Sequence, residues 1–242
     1  MTLRFDPPAG TPPLSRLILL HGAACGPWIW GEGFAQRLAA AGHPCLAVTL
    51  HSATLSERVA AVRAALEEGP AVLVGHSLGA LIAQRLMDDP RVRGAVLLAP
   101  VPPEGLWWSN AHLAASDPIL WGEVARLTGS GEPSPTLARG LFGPGMDQAT
   151  AIIHAGRLRD ESPAALMEAQ MPQPVAPGWI HGRPVLVLGA EHDRLIPRDA
   201  MERCASWHGV AARILPGTGH LLMLDAGWEI AVDRIAGWVP AG

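Results

Sequence analysis

Three side chains in this 242-residue chain have the types needed to turn a hydroxyl into a nucleophile: Ser77, Asp193 and His220. A serine hydroxyl attacks poorly at neutral pH, so it needs a base within hydrogen-bond reach and a further group that orients the base. Ser77 is the centre of Gly75-His76-Ser77-Leu78-Gly79, a G-x-S-x-G pattern. Before it stands the uncharged run Ala71-Val72-Leu73-Val74, and after it Leu78, Leu81, Ile82, Leu86 and Met87 recur at helical spacing. The pentapeptide is therefore expected to be a sharp strand-to-helix turn, too crowded for side chains two before and two after the serine. Such a turn presents the hydroxyl at a helix start, where free N–H groups and the helix dipole favour an anion.

The other two residues fall where a parallel sheet would bring them to the same edge. Asp193 lies in Gly189-Ala190-Glu191-His192-Asp193, just past the apolar run Val185–Leu188, and His220 closes Gly217-Thr218-Gly219-His220, after the next strand. Loops after parallel strands open together on the edge where ligands bind. Glu191 and Asp225 are alternative orienting carboxylates whose offsets from the strand fit less well. His21 is expected to brace the loop after the first buried strand, His76 to pack beside the serine, His192 to sit on the surface, and Cys25 to be a buried thiol near the pocket.

The elements that must position these groups alternate. Leu17–Leu20 reads as a buried strand, Phe34–Ala41 as a helix closed by Gly42, and Cys45–Leu50 as the next strand. Thr54 and Glu57 form a capping box ahead of the apolar stripe Leu55, Val59, Val62 and Leu66. The central strand and serine helix follow, then a strand over Gly94–Ala99. This order predicts an α/β fold with a mostly parallel central sheet and helices on both faces. From Val101 to Gly182 no buried strand is legible. Instead Asp117-Pro118, Ser134-Pro135 and Ser162-Pro163 offer an N-cap followed by proline in the first turn, and Asp147 offers a fourth cap. The expected organisation is a core of residues 1–100 and 183–242 with a helical lid, 101–182, inserted after the strand at 94–99. Strand Val185–Leu188, a helix over Asp199–Trp207, a strand over Ala211–Leu215 and a last helix over Trp228–Val239 complete the core.

With the chain order Ser77, Asp193, His220 and the turn at Ser77, the whole chain resembles the α/β-hydrolase fold enzymes of serine esterase type. The resemblance implies Ser77 as nucleophile, His220 as general base and then acid, and Asp193 as the carboxylate that fixes the imidazole tautomer. An oxyanion formed at a carbonyl needs preorganised donors. These are expected to be the backbone N–H of Leu78 and that of Ala23, with Ala24 the neighbouring candidate. The stretch His21-Gly22-Ala23-Ala24-Cys25-Gly26-Pro27-Trp28 is similar to the corresponding loop in plant-type methylesterases and hydroxynitrile lyases of this fold. Relatives that open epoxides or displace halide carry a carboxylate at the position of Ser77, and cyanohydrin-cleaving relatives use a lysine, which this chain lacks. Cleavage of small to medium apolar carboxylic esters through an acyl-enzyme is the expectation. Lactone or thioester hydrolysis, and a non-hydrolytic synthase or sensor of the same fold, are the alternatives. Ala24, Trp28, Trp107, Trp108 and Trp121 are the expected substrate-pocket residues.

Composition narrows the partners. All 18 basic side chains are arginine, and there is neither lysine nor tyrosine, which excludes a lysine base, a Schiff base and a tyrosine acid. A net charge of -4 without charge runs shows no nucleic-acid footprint and no polybasic membrane patch. Cys25, Cys45 and Cys204 make no metal-type spacing and read as free thiols, so no metal or cofactor is expected. Residues Met1–Pro13 lack the pattern of a leader, and no apolar run reaches membrane-spanning length, so the expected location is cytoplasmic. The expected partner is a small-molecule ester, with the chain a monomer or homodimer.

Overall fold

Seven strands, β1 (Leu3–Phe5), β2 (Leu17–Leu20), β3 (Cys45–Val48), β4 (Ala71–His76), β5 (Val92–Leu98), β6 (Val185–Ala190) and β7 (Ala212–Leu215), form a single sheet in the order β1-β3-β2-β4-β5-β6-β7. The computed structural model describes residues 2–127 and 134–239; Met1, residues 128–133 inside the expected lid, and residues 240–242 lie outside it. Every neighbouring pair is parallel except β1 with β3. Strands β2, β3, β4 and β6 are buried along their whole length, as their continuous apolar runs require of strands covered on both faces.

The pleat divides the apolar side chains into two layers. Leu17, Leu19, Val72, Val74, Val96, Leu98, Leu186 and Leu188 point to one face, and Ile18, Leu20, Leu73, Ala95, Leu97, Val185 and Val187 to the other. Helices α1 (Phe34–Ala40) and α10 (Trp228–Ala236) cover the first face with Phe34, Leu38, Val232 and Ile235. On the second face lie α2 (Leu55–Ala65), α3 (Leu78–Gln84) and α9 (Arg198–Trp207), supplying Val59, Val62, Ile82, Ala83 and Cys204. Burying each such Leu, Ile or Val contributes about 1.5–3 kcal/mol, so the doubly covered strands carry most of the hydrophobic stabilisation. The predicted box at the start of α2 forms, with Thr54 Oγ1 accepting from Glu57 N–H and Glu57 Oε2 from Thr54 N–H.

Five helices connect β5 to β6: α4 (Trp107–Ser116), α5 (Pro118–Arg126), α6 (Pro135–Leu141), α7 (Gln148–Ala155) and α8 (Pro163–Gln170). Asp117, Ser134, Asp147 and Ser162 each accept the N–H of the residue three positions on, as their types predict. Helix α4 is the element that sequence reading missed. Its N-cap is Leu106, which makes no side-chain cap, so the start carries no polar signal. Buried Leu113, Leu120, Leu137 and Leu141 continue the first layer of the core into this inserted segment.

The strand order sets where a ligand can sit. From β2 the chain crosses to β3 on one side, and from β3 it returns to β4 on the other side of β2. The connections leaving β2 and β4 therefore diverge, and a crevice opens at the carboxyl ends of these two strands. Residues 21–33 and Ser77 lie at that point.

Candidate active site

Ser77 occupies the junction between β4 and α3 with φ 51° and ψ -116°, a left-handed conformation that a non-glycine residue adopts only under constraint. Its own N–H donates to Leu98 O of β5, and its carbonyl accepts from Ala80 and Leu81 N–H in the first turn of α3. The glycines of the pentapeptide answer to close approach rather than to unusual angles. A Cβ on Gly75 would stand 2.5 Å from Gly79 O, and one on Gly79 would stand 2.2 Å from Leu20 O. The strain belongs to the serine, and the glycines let α3 press onto β2 and β4.

Two other non-glycine residues have positive φ, Ala24 at 58° and Ala99 at 42°. They follow β2 and β5, the strands that flank β4, so among the described residues all the strained non-glycine backbone gathers on the rim around Ser77. Clustered strain of this sort is held in place by surrounding contacts and is characteristic of functional sites.

The loops after β6 and β7 bring Asp193 to His220. His192 N–H donates to Thr218 O and Glu191 N–H to Leu215 O, which ties the two loops side by side. His220 Nδ1 lies 2.8 Å from Asp193 Oδ2, and Asp193 Oδ1 accepts from Leu195 and Ile196 N–H at 2.8 and 2.9 Å. The carboxylate is thus fixed through both oxygens, with its side chain 1% exposed. The proton on Nδ1 is assigned from this bond, which leaves Nε2 as the basic nitrogen. Ser77 and His220 front the same cavity without a hydrogen bond between them in this geometry.

The competing carboxylates have other work. Glu191 is exposed and accepts from Gly217 N–H. Asp225 is buried and accepts from Gly143, Gly219 and Ala226 N–H at 2.7, 2.6 and 2.8 Å, which anchors the His220 loop against the end of α6. His76 lies against His220 with ring centroids 4.8 Å apart, and its Nε2 is 3.0 Å from His220 O, where a ring N–H must be the donor. Burial first, and then the neighbouring His220, hold the His76 imidazole well below the usual histidine range, so it stays neutral. His21 accepts from Leu50 N–H at Nε2 and faces Gly22 O from Nδ1, which braces the start of the loop after β2. Burial brings its pKa down to about 4.

Of the two alanines in that loop, only one offers a free amide. Ala24 N–H donates to Glu161 Oε2 at 3.0 Å, whereas Ala23 N–H has no partner among the described residues. Leu78 N–H, at the start of α3, is likewise without one. Ala24 thus lines the cavity, but its N–H is not available to a ligand. Glu161 and its partner Arg58 gave no signal in the sequence. They form a buried ion pair with Nη2–Oε1 at 2.5 Å between residues 103 positions apart, on α2 and on the segment between α7 and α8.

A cavity of about 410 Å³ covers Ser77, His76 and His220, with Ala23, Ala24 and Cys25 on one wall. The inserted helices supply most of the rest, including Leu106, Leu113, Trp121, Val124, Leu141, Leu158, Leu166 and Met167. Polar side chains on its wall, beyond the two histidines and Ser77, are Asn110, Gln170 and Glu161. Trp121 thus lines the pocket, while Trp28, Trp107 and Trp108 do not. Trp107 and Trp108 open α4 on its outer side, 61% and 46% exposed, since the inward face of that helix is taken by Asn110 and Leu113. Trp28 stacks on His154 beneath the Arg157 guanidinium, outside the cavity. The thiols of Cys25, Cys45 and Cys204 are free and buried, and burial pushes that of Cys25, on the cavity wall, up to about 12, where it is un-ionised.

A family model described as the alpha/beta hydrolase family matches residues 17–233, and the chain belongs to that family. Among solved structures it is similar to carboxylesterase CesB of Bacillus subtilis, with 22% identity over 100% of this chain and 88% of that one and a TM-score of 0.71. It is similar too to the monoacylglycerol lipase of Paleococcus ferrophilus, with 19% identity, 99% and 97% coverage and a TM-score of 0.70. A bromoperoxidase from Bacillus anthracis shares the fold at 13% identity, 98% and 91% coverage and a TM-score of 0.71. At these identities the likeness is one of fold. No curated protein sequence matches the chain. Among the described residues no helix is long and apolar enough to cross a membrane.

Proposed function

We propose that this protein is a serine hydrolase that cleaves small to medium apolar carboxylic esters through an acyl-enzyme. The observation that carries the reading is the His220–Asp193 hydrogen bond of 2.8 Å facing Ser77 across one apolar cavity. Ser77 Oγ attacks the ester carbonyl carbon while His220 Nε2 takes its proton, and Asp193 stabilises the imidazolium through Nδ1–H. The oxyanion is received by the free N–H groups of Ala23 and Leu78, the latter reinforced by the start of α3. His220 then protonates the departing alkoxide, and a water activated by the same nitrogen releases the acid. A cavity of about 410 Å³ stands near the lower end of ligand-site volumes, and its leucine-rich wall favours apolar acyl or alcohol groups. In this reading residues 101–182 act as a cap that determines which esters enter.

The test is turnover of a p-nitrophenyl ester series of increasing acyl length, read as kcat/KM, with Ser77→Ala as control. Short to medium chains should turn over, and the variant should lose at least about 10⁴-fold while remaining folded by circular dichroism. Undiminished activity in the variant overturns the reading, and a single stoichiometric acylation with no further turnover would mark a sensor instead.

A further inference from the structure

The loop that carries Ala23 is gripped from the inserted segment, and both backbone groups of its strained residue are engaged there. Ala24 N–H donates to Glu161 Oε2 at 3.0 Å, and Ala24 O accepts from Arg159 N–H at 2.8 Å. Within its own loop the neighbouring bond is weak, Cys25 N–H to Gly22 O at 3.4 Å. Ala24 holds φ 58° without glycine's freedom, so the conformation persists only because something outside the loop imposes it. Glu161 is itself fixed by the core. Arg58 of α2 binds both of its oxygens, at 2.5 and 3.2 Å, and is locked in turn by its Nε–H to Ser52 O at 2.9 Å. Ser162 N–H adds a bond to Glu161 Oε1 at 2.6 Å.

We propose that Glu161, held by Arg58, is a positioning residue that assembles the oxyanion-binding site by pinning Ala24 and so leaving the adjacent Ala23 N–H free to face the substrate. This rests on the esterase reading above. The carboxylate saturates the one amide that would compete with Ala23, and the guanidinium neutralises a negative charge that otherwise fronts the cavity where the oxyanion develops. Both contacts to Ala24 come from residues 159–161, so the seating of the inserted segment and the assembly of the donor pair are a single event.

The experiment compares Arg58→Met/Glu161→Gln with Arg58→Met/Glu161→Met. Both remove the buried charges together, and they differ in whether an acceptor for Ala24 N–H remains. The readouts are kcat and KM on a p-nitrophenyl ester, and Ki for an aryl trifluoromethyl ketone. Ser77 Oγ adds to the ketone carbon, its proton passing to His220 as the C=O π pair becomes an alkoxide in the oxyanion site. The methionine pair should lower kcat about 10²-fold relative to the glutamine pair and weaken the ketone by a similar factor, with KM changed less than about threefold. Equal kcat and Ki in the two proteins, or a fall in kcat with ketone affinity intact, overturns the proposal. So does failure of the methionine pair to fold, if Glu161→Gln alone then shows ketone affinity and kcat lowered as far as Glu161→Ala does; rescue by Gln supports it. Wild-type protein that neither turns over esters nor binds the ketone overturns the esterase reading itself, and active wild type with indifferent variants overturns this inference alone.

Discussion

The sheet edge and the inserted helices hold their functional groups in different ways. At the edge, polar groups are fixed by backbone: Asp193 by two N–H groups, Asp225 by three, Ser77 through its own peptide. Backbone donors survive every side-chain substitution except proline. The inserted segment adds a leucine-rich wall inward and large apolar groups outward, among them Ile119, 70% exposed, and Ile153, 65% exposed, besides the Gly143 and Arg159 N–H groups that bind Asp225 and Ala24 O. Among the described residues its one buried ionic contact with the core is the Glu161–Arg58 pair. Such a pair is weak evidence for net stability, but removing one partner leaves a bare charge and costs about 3–5 kcal/mol. On the proposed reading the edge carries the reacting groups, while the insertion shapes the cavity and, through Glu161, clamps the loop that carries Ala23.

The sharpest way to break that comparison is at Asp193. Asp193→Asn should lower kcat by about 10⁴-fold with KM little changed, because the amide presents the wrong partner to Nδ1–H and releases the productive tautomer. Asp225→Asn should act on folding instead, costing about 1–3 kcal/mol in denaturant unfolding for the strained N–H contacts. A large kcat loss in the second variant and not the first would exchange their roles.

Acid should destabilise the fold through two buried, neutral histidines, His21 and His208. Burial lowers the pKa of His21 and of His208 to about 4 in the fold. The unfolded chain protonates them near 6.5, so it binds more protons through the window from about 6.5 down to 4, and stability falls as pH drops across it. By about pH 5 the loss should be on the order of 2 kcal/mol for each, measurable by urea titration. His208→Gln, which keeps a neutral group where Gly178 N–H and Gln84 now bond, should flatten the slope. Glu161 adds a separate loss at lower pH: burial raises its pKa, bonds from Arg58 lower it, and the net direction is down.

The smallest effects should come from the tryptophans of the insertion, and they should separate its two faces. Trp121→Ala enlarges the cavity and should raise KM for medium-chain esters about tenfold with kcat nearly unchanged. Trp107→Ala, on the outer face, should change neither by more than about twofold. Equal effects at both positions would mean that the inner and outer faces of the inserted helices have been assigned wrongly.

What was legible in the sequence was what is set by neighbouring residues. The strand–serine–helix turn and the capped helix starts at Thr54, Asp117, Ser134, Asp147 and Ser162 are local patterns with local physical causes, and the loops of Asp193 and His220 follow from the alternation of strands. Helix α4 lacked a cap and so went unseen. The pocket was misread at three of its tryptophans, because aromatic type says nothing about which face of a short helix turns inward. Glu161 and Arg58 were invisible for a different reason: an arginine inside the amphipathic stretch of α2 reads as a solvated face, and its partner lies far along the chain. Sequence reading put Ala23 before Ala24, but that Glu161 occupies the Ala24 N–H could not be read from it.

The central claim is that Ser77 is the nucleophile, activated by a distant imidazole on the shared rim. Incubation with a fluorophosphonate followed by peptide mass spectrometry tests it most directly. The account predicts one stoichiometric adduct on the peptide carrying Ser77, sharply slowed in a His220→Gln variant. An adduct elsewhere, or none on folded protein, would contradict it.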